Sequence, residues 1–280
     1  MSDGDRIAPD SAELADGAAS WRSAYVHIPF CRRRCPYCDF AVVTPQEGAT
    51  PEVVDRYVAA VLAEIDMEPN GFGALDAINF GGGTPSALAP GDLALILDRL
   101  VDRFGVRPDV EISIEANPED IDAVAARNLV GVGFNRLSLG VQSLDAAVLR
   151  SLGRVHDTGE ALAAVAAARR AGFPSVSVDL IFGTPGESFA SWQDTVTTAV
   201  DTQPDHLSAY ALTVERGTGL SRAVLAGAPA PDPDDLADKY EYLDATVAAA
   251  GLTRYEVSNY ATPGHPCRYN LATWAQGEYL

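Results

Sequence analysis

The sequence is poor in basic residues and in cysteine. It has 20 Lys and Arg residues against 39 Asp and Glu residues, which gives a formal net charge of −19 at pH 7. A chain this acidic is repelled by nucleic-acid phosphates and by anionic lipids, which argues against non-specific binding to either. Only four cysteines are present, so the chain does not resemble a secreted domain stabilised by many disulfides.

Long apolar runs are also missing. No stretch reaches the ~18 consecutive apolar residues that a transmembrane helix needs, so we expect no transmembrane segment. The first twenty residues lack the basic start and the apolar centre of a secretory signal. We therefore predict that residues 1–20 form a disordered acidic tail, and that the protein works in the reducing cytoplasm.

Three of the four cysteines lie in one short stretch. They are Cys31, Cys35 and Cys38, with the spacing C-x3-C-x2-C. Thiolates this close in sequence can bind one metal centre with little loss of chain entropy. Three local thiolates suit a [4Fe–4S] cluster that leaves one iron open for a small molecule. The spacing thus favours an iron–sulfur site.

Two other uses of these cysteines compete with an iron–sulfur cluster. A zinc-stabilised binding module would need a fourth protein ligand, for which His27, Asp39 and Cys267 are the candidates. A disulfide is less favoured, because a cytoplasmic chain of this length does not need one. A zinc site is therefore the main alternative to an iron–sulfur cluster.

The chain alternates between strand and helix patterns. Predicted strands cover residues 23–28, 74–80, 110–116, 135–140, 175–182 and 206–212, with one further strand at 253–259. Predicted helices cover 51–68, 91–104, 119–129, 158–171, 189–200 and 234–250. Six strand–helix units in succession indicate a parallel sheet with helical crossovers. The pattern fits an open doubly wound sheet or a (β/α) barrel.

Polar groups occur at the ends of several predicted strands. They are Gly81–Thr84, Glu115, Gln142 and Asp179. Ligands of parallel α/β folds bind at the carboxyl ends of the strands. Each group alone has an ordinary explanation as a cap or turn, except Asp179, whose carboxylate interrupts an apolar run at a cost in desolvation. Together they predict one ligand-binding rim.

Longer motifs resemble a known family. The motifs are Tyr25-Val-His-Ile-Pro-Phe-Cys31 with the cysteine spacing, Gly81-Gly-Gly-Thr-Pro85, Ile114-Glu-Ala-Asn-Pro118, Phe134-Asn-Arg-Leu-Ser138 and Gly140-Val-Gln142. From about Tyr25 to Trp274 the chain resembles the oxygen-independent coproporphyrinogen III oxidase family of radical S-adenosylmethionine (SAM) proteins. The resemblance implies a radical SAM partial (β/α)6 TIM-like barrel over residues 21–252. Residues 253–280 would be only the start of a C-terminal region that is cut short.

The resemblance also implies cofactors and the residues that hold them. Cys31, Cys35 and Cys38 would hold a [4Fe–4S] cluster whose open iron binds SAM. One electron from the cluster would then split the sulfonium. Positions that match SAM contacts in the family are Tyr25, Gly82 and Glu115. Positions that match contacts near this SAM or near a second one are Tyr37, Gly83, Thr84, Gln142, Arg154 and Asp179.

One position separates two branches of the family. The oxidase branch has a further cysteine two residues after the third cluster ligand, where this chain has Phe40. Asp39-Phe40 resembles the HemW branch, whose members act as haem chaperones. That branch usually has a His-Asn-Leu-x-Tyr-Trp element, in which this chain has Tyr269 for the histidine and Thr273 for the tyrosine. If the histidine binds haem, Tyr269 or Cys267 would have to replace it.

The resemblance therefore implies a haem chaperone that passes haem or a porphyrin to an acceptor protein. The alternative is the oxidase itself, which decarboxylates propionates of coproporphyrinogen III, and enzymatic turnover is left open. An acidic electron donor such as flavodoxin or ferredoxin is a further expected partner. Arg32, Arg33 and Arg34 form a basic spot that would steer such a donor towards the cluster. The less favoured role for these arginines is to bind the propionates of a porphyrin.

Overall fold

The computed structural model describes residues 17–69 and 71–280. Its centre is a run of six parallel strands that lie side by side in chain order. The strands are β1 (Arg22–Ile28), β2 (Leu75–Gly82), β3 (Val106–Ala116), β4 (Arg136–Gln142), β5 (Ser175–Phe182) and β6 (His206–Ala211). Strand β1 does not pair with β6, so the sheet curves without closing. The architecture confirms the expected partial barrel.

Helices connect the strands. They are α1 (Pro51–Met67), α2 (Pro90–Phe104), α3 (Ala123–Val132), α4 (Ala146–Ser151), α5 (Thr158–Ala171) and α6 (Phe189–Asp201), followed after β6 by α7 (Gly219–Leu225) and α8 (Pro233–Ala249). Local sequence sets some ends sharply. Helix α5 begins with a capping box between Asp157 and Glu160 and ends at Gly172, which has a left-handed backbone.

Residues 253–280 extend the same sheet at both edges. Strands β7 (Thr253–Arg254) and β8 (Asn259–Ala261) continue it beyond β6, and β9 (Glu278–Tyr279) pairs with β1. Helix α9 (Arg268–Trp274) lies between them in sequence. The prediction of one strand over 253–259 is wrong, because the Tyr255 N–H donates to the Asn259 carbonyl at 3.1 Å and turns the chain back.

The two faces of the sheet have opposite character. In β4 and β5, Leu137, Leu139, Val176 and Val178 are buried among the residues of the main apolar core between sheet and helices. The alternate positions carry polar side chains that line a cavity inside the barrel. The lining includes Asn79, Ser113, Glu115, Arg136, Ser138, Ser177, Asp179, His206 and Ser208. Side chains of a strand alternate between its faces, so apolar packing holds the fold while the interior remains polar.

A buried ion pair ties α8 to the loop after β5. The Lys239 ammonium lies 2.9 Å from Glu187 Oε2, and both side chains are fully buried. It also lies 2.7 Å from Asp235 Oδ2 on its own helix and donates to the Glu187 carbonyl at 3.1 Å. All three ammonium hydrogens therefore have acceptors. Glu187 in turn accepts the Gly183 N–H at 2.8 Å, which holds the loop in place.

Most of the expected N-terminal tail, residues 1–16, lies outside the described residues. Residues 17–20, also assigned to the tail, form a helical turn. Ala18 in this turn is fully buried against Tyr255, Cys267 and Leu271. Among the described residues, no helix combines the length and apolar character needed to cross a bilayer.

Candidate functional site

A cavity of about 490 Å³ occupies the interior of the barrel. All six parallel strands contribute lining residues, as does the loop that follows β1, residues 31–40. We call residues 31–40 the cysteine loop. It lies at the carboxyl end of β1, which is the end of a parallel barrel where ligands bind. The three cysteines and the ligand-binding rim that was predicted from the sequence therefore face the same cavity.

The cysteine loop presents three free thiols to the cavity. Cys31, Cys35 and Cys38 are all partly buried and unpaired. The Cys31 N–H donates to the Val43 carbonyl at 3.1 Å, and the Cys38 N–H donates to the Cys35 carbonyl at 3.2 Å. Burial raises the pKa of the Cys31 thiol, and a hydrogen bond from the Thr84 hydroxyl at 3.5 Å opposes this. Burial also raises the pKa of Cys38.

Three thiolates from one loop suit an iron–sulfur cluster. Among residues 17–69 and 71–280, no three His, Cys, Asp or Glu side chains are grouped so as to hold one metal ion. In a [4Fe–4S] cube each thiolate binds a different iron, which three separated thiols can do. Two of the three candidates for a fourth zinc ligand have other partners: Cys267 donates its S–H to Glu111 at 3.4 Å, and His27 Nε2 lies 2.9 Å from the Ala41 carbonyl oxygen.

The basic spot in the cysteine loop is largely neutralised. Arg32 Nη2 lies 2.5 Å from Asp120 Oδ1, and Arg34 forms a two-point pair with Glu47 at 3.0 and 3.1 Å. Within the described part of the chain, Arg33 is the arginine of the three that has no ion pair. The expected patch of three free cations is therefore reduced to one.

The glycine stretch after β2 is packed against the end of β1. Gly82 has a φ of +105°, and a Cβ there would collide with the His27 ring. A Cβ at Gly83 would lie 2.8 Å from the Ile28 carbonyl oxygen, because the Gly83 N–H donates to that oxygen, also at 2.8 Å. Both residues line the cavity. The small size of Gly82 is therefore required by the His27 ring, and that of Gly83 by the backbone at the end of β1.

A polar network lies beside the cysteines. Thr84 Oγ1, which contacts Cys31, accepts a hydrogen bond from Asn117 Nδ2 at 3.0 Å. Asn117 Oδ1 accepts one from Arg154 Nη2. Arg154 Nη1 lies 3.8 Å from Cys35 Sγ, and its buried Nε has no partner among the described residues. The guanidinium thus keeps an unused donor, which suits a carboxylate ligand.

Two carboxylates face the cavity from β3 and β5. Glu115 Oε2 accepts the Gly82 N–H at 3.3 Å. Burial, together with the negative charge of Asp179, raises the pKa of Glu115 to about 7. Asp179 accepts hydroxyl hydrogen bonds from Ser138 at 2.7 Å and Ser177 at 2.9 Å. Burial raises its pKa and these hydroxyls oppose the rise. The pair is equipped to bind ammonium or hydroxyl groups.

Aromatic side chains form part of the wall. Tyr25 stacks on Tyr269 with ring centroids 5.7 Å apart and an interplanar angle of 23°. Tyr37 packs in a small cluster with Leu152 and Leu212. Burial raises the pKa of both Tyr25 and Tyr37, so their hydroxyls keep their protons. Such phenols offer a ligand an apolar face and a hydrogen-bond donor.

Gln142 has an unusual backbone. Its φ is +65°, in the left-handed region that a residue with a Cβ rarely adopts. It ends β4, and its side chain lines the cavity. Backbone strain of this kind is concentrated at ligand sites. The conformation supports the sequence-based choice of Gln142 as a site residue.

The floor of the cavity is made by residues 265–270, which we call the floor segment. Arg136, the first residue of β4, donates to two carbonyls of this segment at 2.5 and 3.1 Å. Its partner Glu111, 2.8 Å away, accepts the Arg268 N–H at 2.8 Å. The segment therefore closes the barrel at the amino ends of the strands, opposite the cysteine loop, and brings Tyr269 into the wall.

Several polar side chains that line the cavity lie inside the strands and were not predicted from the sequence. They include Ser138, Ser177, His206, Ser208 and Tyr210. The signal was present, because polar residues at every second position are unusual in parallel strands, which are normally apolar on both faces. Every sequence-predicted SAM position lines the same cavity, from Tyr25 to Asp179.

Comparisons with known proteins agree with this geometry. Residues 25–199 match the model of the radical SAM superfamily. The chain is 45% identical over 260 residues to "Heme chaperone HemW" of Mycobacterium tuberculosis, covering 91% of this chain and 66% of the relative. It is 34% identical over 265 residues to the protein of the same name from Bacillus subtilis, covering 92% of this chain and 68% of the relative.

A solved structure shares the fold. The coproporphyrinogen III oxidase HemN of Escherichia coli, described as a radical SAM enzyme, matches with a TM-score of 0.78 at 28% identity. The match covers 91% of this chain and 59% of that one. The chain spans about two thirds of the length of the curated relatives it matches, at 66% of the Mycobacterium tuberculosis protein. The chain belongs to the radical SAM superfamily and, within it, to the HemW branch of the oxygen-independent coproporphyrinogen III oxidase-like family.

Proposed function

We propose that this chain is the radical SAM part of a haem chaperone. It holds a [4Fe–4S] cluster on Cys31, Cys35 and Cys38, binds SAM, and binds haem for delivery to an acceptor protein. The observation that carries the proposal is that one cavity is lined by the thiols of the cysteine loop, by Glu115 and Asp179, and by Arg154. When bound, the cluster supplies the electron for reductive cleavage of SAM.

The residues of the cavity have distinct tasks in SAM binding. Glu115 and Asp179 accept hydrogen bonds from ammonium or ribose hydroxyl groups. Arg154, with its unpaired buried Nε, binds a carboxylate. The ring of Tyr25 shields the ligand from water together with Tyr269, on which it stacks.

A chaperone is favoured over an oxidase by the position that separates the branches. Phe40 lines the mouth of the cavity and is 58% exposed. It brings no thiol to the place where the oxidase branch has a further cysteine. The relatives named HemW are also more similar, with 45% identity against 28% for the oxidase. Oxidative decarboxylation of porphyrinogen propionates is therefore the second candidate.

The haem ligand is proposed from the two candidates near the C-terminal end. Cys267 is buried, donates its S–H to Glu111, and has its thiol pKa raised by burial, so it is a poor ligand. Burial raises the pKa of the Tyr269 phenol as well, but Tyr269 is only partly buried, lines the cavity, and its hydroxyl is not bonded to Glu111. We therefore assign haem ligation to Tyr269, whose phenolate is an iron ligand of known type.

The proposal is tested on anaerobically reconstituted protein. We expect about four irons per chain, SAM binding by calorimetry, and a saturable change in the haem absorption spectrum. The Tyr269→Phe variant should bind SAM normally and haem more weakly. Coproporphyrinogen III should be left unchanged under reducing conditions. Turnover of coproporphyrinogen III, or no haem binding, would favour the oxidase instead.

The proposal also covers the docking site of the electron donor and the compartment in which the protein works. A small acidic donor protein docks over the cysteine loop, guided by Arg33. The cluster needs a reducing compartment, for which we propose the cytoplasm. Localisation of a tagged full-length protein tests the compartment directly.

A further inference from the structure

A line of buried side chains links the cavity to its floor. Asp179 Oδ1 accepts the Ser177 hydroxyl at 2.9 Å, and Ser177 Oγ lies 2.8 Å from His206 Nδ1. His206 Nε2 lies 2.8 Å from the Tyr255 hydroxyl, which accepts the Cys267 N–H at 3.3 Å. Ser177, His206 and Tyr255 are 1%, 2% and 8% exposed. These three side chains of the connection are therefore almost fully buried.

The direction of every hydrogen bond in this line follows from its two ends. At the floor end the Cys267 N–H and Asn270 Nδ2, the latter at 3.4 Å, both donate to the Tyr255 oxygen and use its two lone pairs. The hydrogen of the Tyr255 hydroxyl therefore points to His206 Nε2. At the cavity end an ionised Asp179 can only accept, so the Ser177 hydrogen points to it. Ser177 Oγ must then accept from His206 Nδ1.

The hydrogen bonds fixed from the floor end and those fixed from the cavity end meet at His206. Its Nε2 accepts from Tyr255 and its Nδ1 donates to Ser177, which requires the neutral ring with hydrogen on Nδ1. Burial lowers the pKa of His206 well below its usual value, and the nearby cationic Arg136 adds to this. A neutral ring is what the geometry demands.

We propose that His206 is a positioning residue for the ligand site. Held by Tyr255 with its hydrogen on Nδ1, it directs the Ser177 hydroxyl to Asp179. The carboxylate is thereby kept as an ionised acceptor for ammonium or ribose hydroxyl groups of the ligand. The floor segment, through the Cys267 N–H, sets the arrangement.

The opposite arrangement of hydrogens would weaken the ligand site. If Tyr255 did not donate to Nε2, the ring could carry its hydrogen there and accept from Ser177 at Nδ1. The Ser177 oxygen would then present a lone pair to Asp179, which would lose one of its hydroxyl donors. A buried carboxylate with fewer donors is more costly to ionise, and its affinity for a cationic or hydroxyl ligand falls.

The hydrogen position is measured directly by ¹⁵N NMR of the full chain with an oxidised cluster. The chain has four histidines, and the His206→Gln variant identifies the signals of His206. We expect hydrogen on Nδ1 only, and a mixture of tautomers in the Tyr255→Phe variant. Hydrogen on Nε2, a doubly protonated ring, or no change in Tyr255→Phe would overturn the proposal.

The effect on the ligand site is measured as SAM affinity by calorimetry. Tyr255→Phe and Ser177→Ala should each weaken binding about fivefold, the effect of one ordinary hydrogen bond. The variant that combines Tyr255→Phe with Ser177→Ala should bind SAM no more weakly than Ser177→Ala alone, because Ser177→Ala already breaks the line of hydrogen bonds. Tyr260→Phe is the matched control, since Tyr260 is at least as buried as Tyr255 but its hydroxyl makes no hydrogen bond in this line. Additive losses, or an equal loss in Tyr260→Phe, would mean a merely structural role.

The choice of SAM as the probe rests on the proposed function, whereas the tautomer of His206 does not. If the unmodified protein binds no SAM but His206 shows the expected tautomer and responds to Tyr255→Phe, the proposed function fails and the positioning device stands. If SAM binds and the tautomer is the opposite one, the function stands and the positioning device fails.

Discussion

Glu115 should make the stability of the protein fall as pH rises. Its pKa is raised from 4.5 to about 7 in the folded chain. Between these values the unfolded carboxyl is ionised while the folded one still holds its proton. The folded state therefore binds more protons, and the free energy of unfolding decreases as pH rises through this range. The stabilisation from this group is complete below the unfolded pKa and is lost above about pH 7.

The size of the effect follows from the shift. A rise of about 2.5 pKa units, at ~1.4 kcal/mol per unit, corresponds to about 3 kcal/mol. The Glu115→Gln variant removes the titration while its amide oxygen can still accept the Gly82 N–H. Relative to the unmodified chain, the variant should therefore gain most of this amount between pH 5 and pH 8.

The assay is urea unfolding followed by circular dichroism at the two pH values, with no cofactor added and under reducing conditions. The difference between variant and unmodified chain cancels the other titrating groups. Glu64→Gln, at an exposed position of α1, serves as the control and should leave the pH dependence unchanged. If Glu115→Gln keeps the full pH dependence of the unmodified chain, the carboxylate is not held protonated by burial and by Asp179, and the reasoning is refuted.

Three further outcomes are expected. Cys35→Ala should lose the iron and the visible absorption of the reconstituted cluster while Cys267→Ala keeps both; a normal cluster in Cys35→Ala would contradict the assignment. Lys239→Met should lower the free energy of unfolding by about 3–5 kcal/mol because its buried carboxylate partner is left unpaired, and urea unfolding should show a much smaller loss for Asp235→Asn; similar losses would refute this. Arg33→Glu should slow cluster reduction by an acidic flavodoxin most strongly at low salt, with little change for dithionite, and an unaltered salt dependence would exclude steering.

The sequence located the regular elements well where local chemistry marks their ends. Strand β5 and helix α5 have the predicted bounds, because Gly172, Gly183 and the capping box of Asp157 punctuate the chain there. The short helices α4, α7 and α9 were not predicted. They have six or seven residues each, too few for a helical period to stand out. Their formation depends on tertiary packing.

The candidate site was predicted in its chemistry but only partly in its geometry. The thiols and the carboxylates Glu115 and Asp179 were found because such residues stand out at strand ends. The ion pairs of Arg32 and Arg34 could not be foreseen, since their partners Asp120 and Glu47 come close only in the folded chain. The position of the floor segment could not be foreseen either, because it depends on contacts between residues more than one hundred positions apart.

The pairing of β9 with β1 has a consequence for how the chain is made. Arg22 and Glu278, 256 positions apart, meet at this edge, and the Tyr25 N–H donates to the Leu280 carbonyl at 3.0 Å. A ribosome adding ~5–20 residues per second needs roughly 13–50 s to make the intervening segment. During that time the outer edge of β1 has no strand to pair with. An open edge is a template for pairing with another chain, so a nascent chain of this protein should depend on chaperone protection until residue 280 has left the exit tunnel.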